Sequence, residues 1–354
     1  MDTRSAQTSV FYFYVTPEFT MLAFTNALEI LRLTNQVLGR DKYEWRIVSC
    51  DGEAVRASCG LQLGADLSLE EARSKVRNSS TGMVILCAGQ NVQQYGSRGL
   101  DGWLRECRTW RVPLGAVCTG SHLLARAGIL RHRRCTIHWE NLPSFSESFI
   151  EARPNSQIFE VDDEIYTCAG GASSIEMMLH IIGREHGADI AAAVCQLAIV
   201  ATLRDRSERQ RMPYALPISV RNPNLQALVR MMEDNISEPL QLALVAGKVG
   251  ISRRQMERYF REVFDCSPGR YYMRLRIESA KSLLKHTSMP VVEVAIACGF
   301  ISASHFSKIF RSFEGTSPHE SRMLRAPAWF EKTTGQTNPS SPPRELPPGS
   351  RVAA

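Results

Sequence analysis

Residues 240–263 and 289–313 carry the same helix-turn-helix pattern twice. In each copy, apolar residues at spacings of three and four predict a buried helix face, and Gly250 or Gly299 ends that helix. The residues predicted to be buried are Leu242, Val245, Ala246 and Val249 in the first copy and Val292, Val294, Ala295 and Cys298 in the second. Ser252 or Ser302 follows as the predicted N-cap of a second helix, and Gln255, three residues after Ser252, predicts a capping box in the first copy. The second helix must cross the first because the gap is short. The segment between the copies has no helix breaker after Gly269, so one long helix is expected to join them.

The second helix of each copy leaves a polar stripe that is expected to face outward. Such a stripe suits a helix lying in a major groove, where arginines can bind phosphates or guanine edges. Either helix can also contribute mainly phosphate contacts, which position the protein without specifying a sequence. The predicted DNA-contacting residues are Arg253, Arg254, Gln255, Glu257, Arg258 and Arg261 in the first copy and Ser302, Ser304, His305, Ser307, Lys308 and Arg311 in the second.

The charge of the chain is concentrated in this region. Residues 221–330 hold 16 Lys and Arg against 10 Asp and Glu, and the whole chain has a formal net charge of +6. The rest of the chain is therefore formally neutral. A basic excess confined to the helix-turn-helix region is the electrostatic pattern expected for binding to double-stranded DNA, although a basic helix by itself is usually only a solvated surface.

Residues 225–325 resemble the AraC/XylS-type transcription regulators. The resemblance rests on the segment "SPGRYYMRLRIESAKSLL" and on "VVEVAIACGF" followed by "SHFSKIFRSFEGTSPHESR". It implies that the two recognition helices enter successive major grooves on one face of promoter DNA. It also implies an activator more than a repressor, with RNA polymerase as a partner.

The N-terminal half predicts a separate α/β domain over residues 9–200. Strand and helix signals alternate there, as in a doubly wound parallel sheet of flavodoxin-like type. A charged and then proline-bearing segment at 201–224 is interpreted as a linker, and the Pro/Ser/Gly-rich end at 332–354 as a disordered tail. The strands are predicted at 9–15, 43–50, 82–88 and 112–118, and the helices at about 19–37, 97–109, 119–127 and 172–186.

Several classes of protein are disfavoured by composition. The chain has no apolar run long enough for a membrane helix and no basic-then-apolar signal peptide at its start, so we expect a cytoplasmic protein with no membrane partner. Its ten cysteines are scattered singly, without zinc-ligand spacing, which predicts neither a metal site nor a disulfide framework. No cofactor is expected.

One turn in the α/β half is typical of a nucleophile elbow. Cys118 lies where the strand "VPLGAV" gives way to the helix "TGSHLLARAG". Small neighbours permit the sharp bend, and a helix N-terminus beneath the thiol is expected to lower its pKa and to offer the N–H groups of Thr119 and Gly120 to an anion. His138 is a possible partner of the thiol, and Trp139 beside it could hold a quaternary ammonium group.

Residues 9–196 resemble the DJ-1/PfpI, or class I glutamine amidotransferase-like, fold. The specific pieces are "AVCTGSHLLARAGIL", "CTIHWEN" and "TCAGGASSIEMMLHII". Together with the helix-turn-helix region, they resemble the amidotransferase-like branch of AraC-type regulators. That resemblance implies a sensor of small metabolites, because several known members respond to carnitine, glycine betaine or arginine.

Two functions remain open from the sequence. In the first, the α/β domain binds a small-molecule effector at residues drawn from Glu18, Cys118, Thr119, Gly120, His138 and Trp139, and a homodimer engages DNA. In the second, the chain is a cysteine-dependent enzyme of hydrolase or glyoxalase type fused to a DNA-binding domain. Enzymes of the DJ-1 type place a glutamate just after the first strand, and here that place falls near Thr20, with Glu18 two residues earlier. This departure favours the regulator, which is not an enzyme.

Overall fold

The structure is a computed structural model that describes residues 8–77, 80–200, 203–210 and 222–323. The described residues form an α/β unit followed by an all-α unit. The predicted tail at 332–354 and most of the predicted linker at 201–224 lie outside the described residues.

The α/β unit is built on a seven-stranded sheet in the order β10-β11-β7-β6-β1-β2-β5. All neighbouring strands are parallel except the antiparallel pair β10 and β11. Two shorter two-stranded sheets, β3-β4 and β8-β9, flank it. The strands are β1 Ser9–Val15, β2 Tyr43–Ser49, β3 Val55–Arg56, β4 Gln62–Leu63, β5 Leu67–Ser68, β6 Thr81–Ala88, β7 Leu114–Cys118, β8 Arg134–Thr136, β9 Arg153–Asn155, β10 Phe159–Asp162 and β11 Ile165–Cys168.

Helices cover both faces of this sheet, as the doubly wound prediction requires. Successive side chains of β1 alternate between two apolar cores, because residues along a strand point to opposite faces. Phe11 and Phe13 pack under α1, α6 and α7, whereas Tyr12 and Tyr14 pack under α2 to α4. The helices are α1 Met21–Leu38, α2 Leu69–Lys75, α3 Arg98–Thr109, α4 Ser121–Arg126, α5 Leu142–Ser148, α6 Ser173–His186 and α7 Ala188–Leu197.

The strand order reverses beside β1, which pairs with β2 on one side and β6 on the other. In open sheets of this kind, ligands bind beyond the carboxyl ends of the strands at the switch point. The turn after β1 and Cys118 at the end of β7 both lie at that edge. The doubly wound prediction is therefore confirmed, and it places the candidate elbow where a ligand site is expected.

Residues 203–210, part of the segment interpreted as a linker, dock onto the α/β unit through specific polar contacts. Arg204 binds the buried carboxylate of Glu176 at 2.6 Å. The side-chain amide of Gln210 donates to the hydroxyl of Thr136 at 2.9 Å and to the carbonyl of Ile137 at 2.7 Å. This part of the chain is therefore held against the strand that leads to His138.

The all-α unit consists of two helix-turn-helix subdomains on either end of one long helix. Tyr271, Tyr272 and Leu275 of that helix pack in the first apolar core, and Ile277 and Leu283 pack in the second. One rigid helix therefore sets the separation of the two subdomains, as predicted. The helices are α8 Pro223–Glu233, α9 Leu242–Lys248, α10 Arg253–Phe264, α11 Pro268–His286, α12 Val291–Ala297, α13 Ala303–Glu314 and α14 Pro318–Met323.

Within the described ranges, no helix is both long and apolar enough to cross a membrane.

Candidate DNA-binding surface and ligand site

The first recognition helix, α10, begins with the capping box expected from the sequence. The hydroxyl of Ser252 accepts the N–H of Gln255, and the side-chain oxygen of Gln255 accepts the N–H of Ser252 in return. Met256 and Phe260 are fully buried beneath the helix, which fixes its outward face. The predicted contacts Arg253, Arg254, Gln255, Glu257, Arg258 and Arg261 are all exposed.

Two of these arginines are engaged in ion pairs along the helix. Arg253 lies 3.3 Å from Glu257, and Arg258 lies 3.6 Å from Glu262. All four side chains are more than half exposed, and such i,i+4 pairs stabilise a helix only weakly, by about 0.3–0.5 kcal/mol. Phosphate or base contacts can therefore replace these ion pairs at small cost.

The second recognition helix, α13, has the same arrangement with different polar residues. Ser302 caps it by accepting the N–H of His305 at 3.2 Å, and Phe306 and Phe310 are fully buried. Ser302, Ser304, His305, Lys308 and Arg311 are exposed, whereas Ser307 is half-buried.

One residue of the preceding helix faces the opposite way from our expectation. The sequence placed Val292 on the buried face of α12, but its side chain is 56% exposed, and Val291 packs on the core instead. The helix begins at Val291. Because α12 has only seven residues, a shift of one residue in where it begins changes which of the two valines faces the core.

Arg276 has a structural role in the second subdomain that sequence reasoning missed. It lies on α11, and its guanidinium donates to the carbonyls of Cys298 and Gly299 at 2.8 and 2.7 Å, where α12 ends. Its charge also sits 4.0 Å from the ring centre of Phe300. A cation satisfying the last carbonyls of a helix is favourable, so Arg276 fixes α12 to the long helix. The sequence feature that indicates this role is an arginine between two apolar residues of the long helix, Leu275 and Ile277.

The candidate elbow has the geometry that its sequence predicts. Cys118 has φ +59°, in the left-handed region that a non-glycine residue adopts only at some cost. The chain passes very close to Gly170, where an added Cβ would lie 2.6 Å from the Cβ of Cys118. A side chain at position 170 is therefore incompatible with the elbow.

Thr20, not Glu18, is the residue at the thiol. The Thr20 hydroxyl donates to Sγ of Cys118 at 3.3 Å. The carboxylate of Glu18 instead accepts from the Asn91 amide at 2.7 Å and from the Tyr95 hydroxyl at 3.0 Å. Thr20, the residue that the sequence places where DJ-1-type enzymes have their glutamate, is therefore the neighbour of the thiol. The thiol of Cys118 has a hydroxyl beside it where those enzymes have a carboxyl group.

The expectation of a lowered thiol pKa is wrong. Burial raises the pKa of Cys118 to about 11, and this outweighs the opposing effects of Thr20 and the Thr119 N–H. The N–H of Gly120 already donates to the carbonyl of Val117 at 3.0 Å, and α4 is only six residues long. The two N–H groups predicted to hold an anion are thus engaged within the protein.

We expect iodoacetamide at pH 7 to modify the exposed Cys50 and Cys59 and to leave Cys118 unmodified. With a pKa of about 11, only about one Cys118 thiol in 10⁴ is ionised at pH 7, and the ionised fraction rises about tenfold per pH unit below that pKa. Mass spectrometry of the alkylated, folded protein measures this. Modification of Cys118 as fast as that of Cys50 would contradict the buried, protonated thiol.

His138 lies beside the elbow, whereas Trp139 lies at the boundary with the helical unit. The N–H of His138 donates to the carbonyl of Cys118 at 3.2 Å, and burial lowers the pKa of its imidazole. The Trp139 ring lies 5.5 Å from that imidazole and lines a cleft against α11 of the helical unit. The residues predicted for the ligand site therefore separate into a group at the elbow, Glu18 bound by Asn91 and Tyr95, and Trp139 at the boundary between the units.

Comparisons with known proteins match both units. Residues 12–184 match the DJ-1/PfpI family, and residues 245–323 match a helix-turn-helix domain family. The HTH-type transcriptional regulator GbdR of Pseudomonas aeruginosa is 40% identical over 88% of this chain and 83% of its own. The HTH-type transcriptional regulator CdhR of the same species is 35% identical over 90% of this chain and 94% of its own.

A solved structure supports the α/β assignment. The crystal structure of an AraC family transcriptional regulator from Pseudomonas putida has a TM-score of 0.50 and 27% identity, and the match covers 54% of this chain and 99% of that one. Fold, exposed recognition helices and relatives together define a DNA-binding transcriptional regulator, not an enzyme. The chain belongs to the AraC-type regulators that carry an N-terminal DJ-1/PfpI domain.

Proposed function

We propose that the α/β domain, residues 9–200, senses a small metabolite and alters how the DNA-binding domain, residues 225–325, engages promoter DNA. The observation that carries this proposal is the pairing of two exposed recognition helices on one long helix with an α/β domain whose thiol is buried and protonated. A quaternary amine or an amino acid, such as carnitine, glycine betaine or arginine, is the proposed class of effector. The segment 201–224 connects the two domains.

The recognition helices α10 and α13 are proposed to enter successive major grooves of double-stranded DNA. Binding of the effector must favour the DNA-competent arrangement over the idle one, since equal affinity for both shifts nothing. We propose an activator that contacts RNA polymerase. A homodimer formed through the α/β domain would bring two pairs of helices to repeated half-sites, which raises avidity when the linkers reach.

The experiment that tests the sensor is a thermal-shift screen of the full chain with carnitine, betaines, amino acids and polyamines. A ligand that binds only the folded state raises the melting temperature by mass action. A compound that raises the melting temperature and changes affinity for promoter DNA supports the proposal. A screen in which every compound leaves both quantities unchanged contradicts an effector of this class.

Replacing Cys118 with Ser separates the sensor from the cysteine-dependent enzyme. We expect induction of a reporter gene to survive in the Cys118→Ser variant, because the buried thiol shapes the elbow without acting as a nucleophile. Reporter activity with and without the effector found in the screen measures this. Complete loss of induction while the variant still binds that effector would favour chemistry at Cys118.

A further inference from the structure

A cleft of ≈ 180 Å³ lies between the two domains. One wall is the turn after His138, with Trp139, Glu140 and Pro143, and the other wall is largely formed by α11. Ile236, from the loop after α8, contributes a further apolar side chain. Residues of both domains are therefore needed to form this cavity, whose size suits a small metabolite.

Hydrogen bonds across the boundary hold the walls together. The hydroxyl of Ser282 on α11 donates to the carbonyl of Glu140. The side-chain amide of Gln93 donates to the carbonyl of His286 at 3.5 Å, and His286 also lines the cleft. Arg209, in the segment that docks on the α/β unit, pairs with Asp234 of the helical unit at 2.8 Å. The cleft thus exists only while the two domains are docked.

The cleft presents an aromatic ring and four charged side chains, of which Glu278 and Lys281 are paired with each other at 3.3 Å and Glu140 and Lys285 lie outside that pair. Trp139 offers an indole face, which attracts organic cations, and Glu140 beside it supplies a negative charge. Lys285 supplies a positive charge from the last turn of α11. Among the ion pairs of the described residues, neither Glu140 nor Lys285 has a partner within 4.0 Å, so both charges can interact with a ligand.

The elbow offers less to a ligand with a carboxylate. Cys118 and Thr119 are 7% and 3% exposed, and the N–H of Gly120 is bonded to Val117. The Thr119 hydroxyl donates to the carbonyl of Gly89 at 2.7 Å. Lys285 is exposed and lines the interdomain cleft, so it is the better positioned group for an anion.

We propose that the cleft between Trp139 and α11 binds a small zwitterion, with its cationic group on Trp139 and Glu140 and its carboxylate on Lys285. This inference rests on the proposed sensor function and locates its effector at the boundary of the domains, not at the elbow. A ligand that touches both domains binds only their docked arrangement, so its binding free energy stabilises that arrangement directly. The docked arrangement leaves the outward faces of α10 and α13 exposed, so ligand and DNA can be bound together.

Isothermal titration calorimetry of the full chain tests the site with glycine betaine and glycine as zwitterions, tetramethylammonium as the cation alone and acetate as the anion alone. At least one zwitterion is expected to bind more tightly than either single ion. We expect Trp139→Ala and Lys285→Met each to weaken its binding about tenfold, because each removes one of the two charged-group contacts. Lys75→Met, which removes an exposed lysine on α2, is the matched control and should leave the affinity unchanged.

Three outcomes would overturn the proposal. They are absence of binding by both zwitterions, wild-type affinity in Trp139→Ala and Lys285→Met, and weakened binding in Cys118→Ser alone, which would place the ligand at the elbow. The variants are first compared by thermal melting without ligand, and the exposed Lys285 keeps the test informative if Trp139→Ala unfolds. DNA binding is measured separately with and without ligand, since its absence in the wild-type chain under both conditions would contradict the regulator itself and not the cleft.

Hydrogen–deuterium exchange tests whether the ligand bridges the domains. Glycine betaine or glycine, whichever binds, is expected to slow exchange both in residues 139–148 and in residues 275–286. Slowed exchange on one side only would show a ligand held by a single domain and would overturn the bridging site.

Discussion

Replacing Arg254 or His305 with Ala is expected to weaken binding to the specific operator by about 10- to 100-fold, because a good base contact is worth ~1–3 kcal/mol. The two residues lie near the starts of α10 and α13, where both side chains are exposed. Each recognition helix rests on two buried residues that neither substitution changes, although His305→Ala removes an edge contact of the imidazole with the buried ring of Phe300, 6.0 Å away between ring centres. Thermal melting should therefore be unchanged in Arg254→Ala and only slightly lowered in His305→Ala, and fluorescence anisotropy with an operator selected from random DNA measures the affinity.

The dependence of affinity on salt separates the two kinds of contact. If Arg254 binds a phosphate, the slope of log affinity against log salt falls by about one and all sequences lose affinity alike. If it binds a base, the slope changes less and discrimination at one base pair is relaxed. Arg230→Ala is the matched control, since Arg230 is exposed on α8, outside both recognition helices. Operator affinity equal to wild type in both Arg254→Ala and His305→Ala would show that the recognition helices are misplaced.

The elements that could be predicted from sequence are those whose signal is local. The strands β1, β2, β6 and β7 were located to within one or two residues, because each is a run of apolar and β-branched or aromatic residues bounded by turns. The capping box at Ser252 and Gln255 was likewise visible, since its two members are three residues apart.

The features that the sequence did not reveal depend on contacts between distant residues. The docking of residues 203–210 requires the buried Glu176, and the position of Trp139 depends on α11, more than a hundred residues later. The raised pKa of Cys118 also depends on distant residues, so the sequence predicted a lowered pKa instead. The helix beneath it is local and visible, whereas the burial that dominates the shift comes from Thr20, β6 and the chain at Gly170.

Gly299 and Gly250 provide a matched pair of substitutions with very different expected effects. Both end the first helix of a helix-turn-helix copy, with φ of +72° and +74°. An added Cβ at Gly250 would have no atom within 4 Å. At Gly299 it would lie 2.6 Å from Cδ of Pro239 and 2.8 Å from the carbonyl oxygen of Ile236, in the loop after α8. The second subdomain therefore approaches the first closely at this glycine.

We expect Gly250→Ala to destabilise the helical unit by about 1–2 kcal/mol, the cost of a left-handed residue with a side chain. Gly299→Ala should cost about 2–5 kcal/mol, because overpacking against Pro239 adds ~1–3 kcal/mol to the same backbone cost. Calorimetric melting of the full chain measures both, with the helical unit identified from its stabilisation by operator DNA. Equal shifts in the two variants would contradict the close approach at Gly299.

The same pair tests whether the two recognition helices act at a fixed separation. Displacement of the loop at Ile236 and Pro239 moves the first subdomain relative to the second, although α11 itself is unchanged. Gly299→Ala should therefore lose affinity for an operator with two major-groove sites well beyond the loss in Gly250→Ala, at a temperature where both variants are folded. Restored affinity on an operator with one base pair added or removed between the sites would show that spacing, and not local unfolding, is the cause, because adjacent major-groove sites must match the protein's geometry.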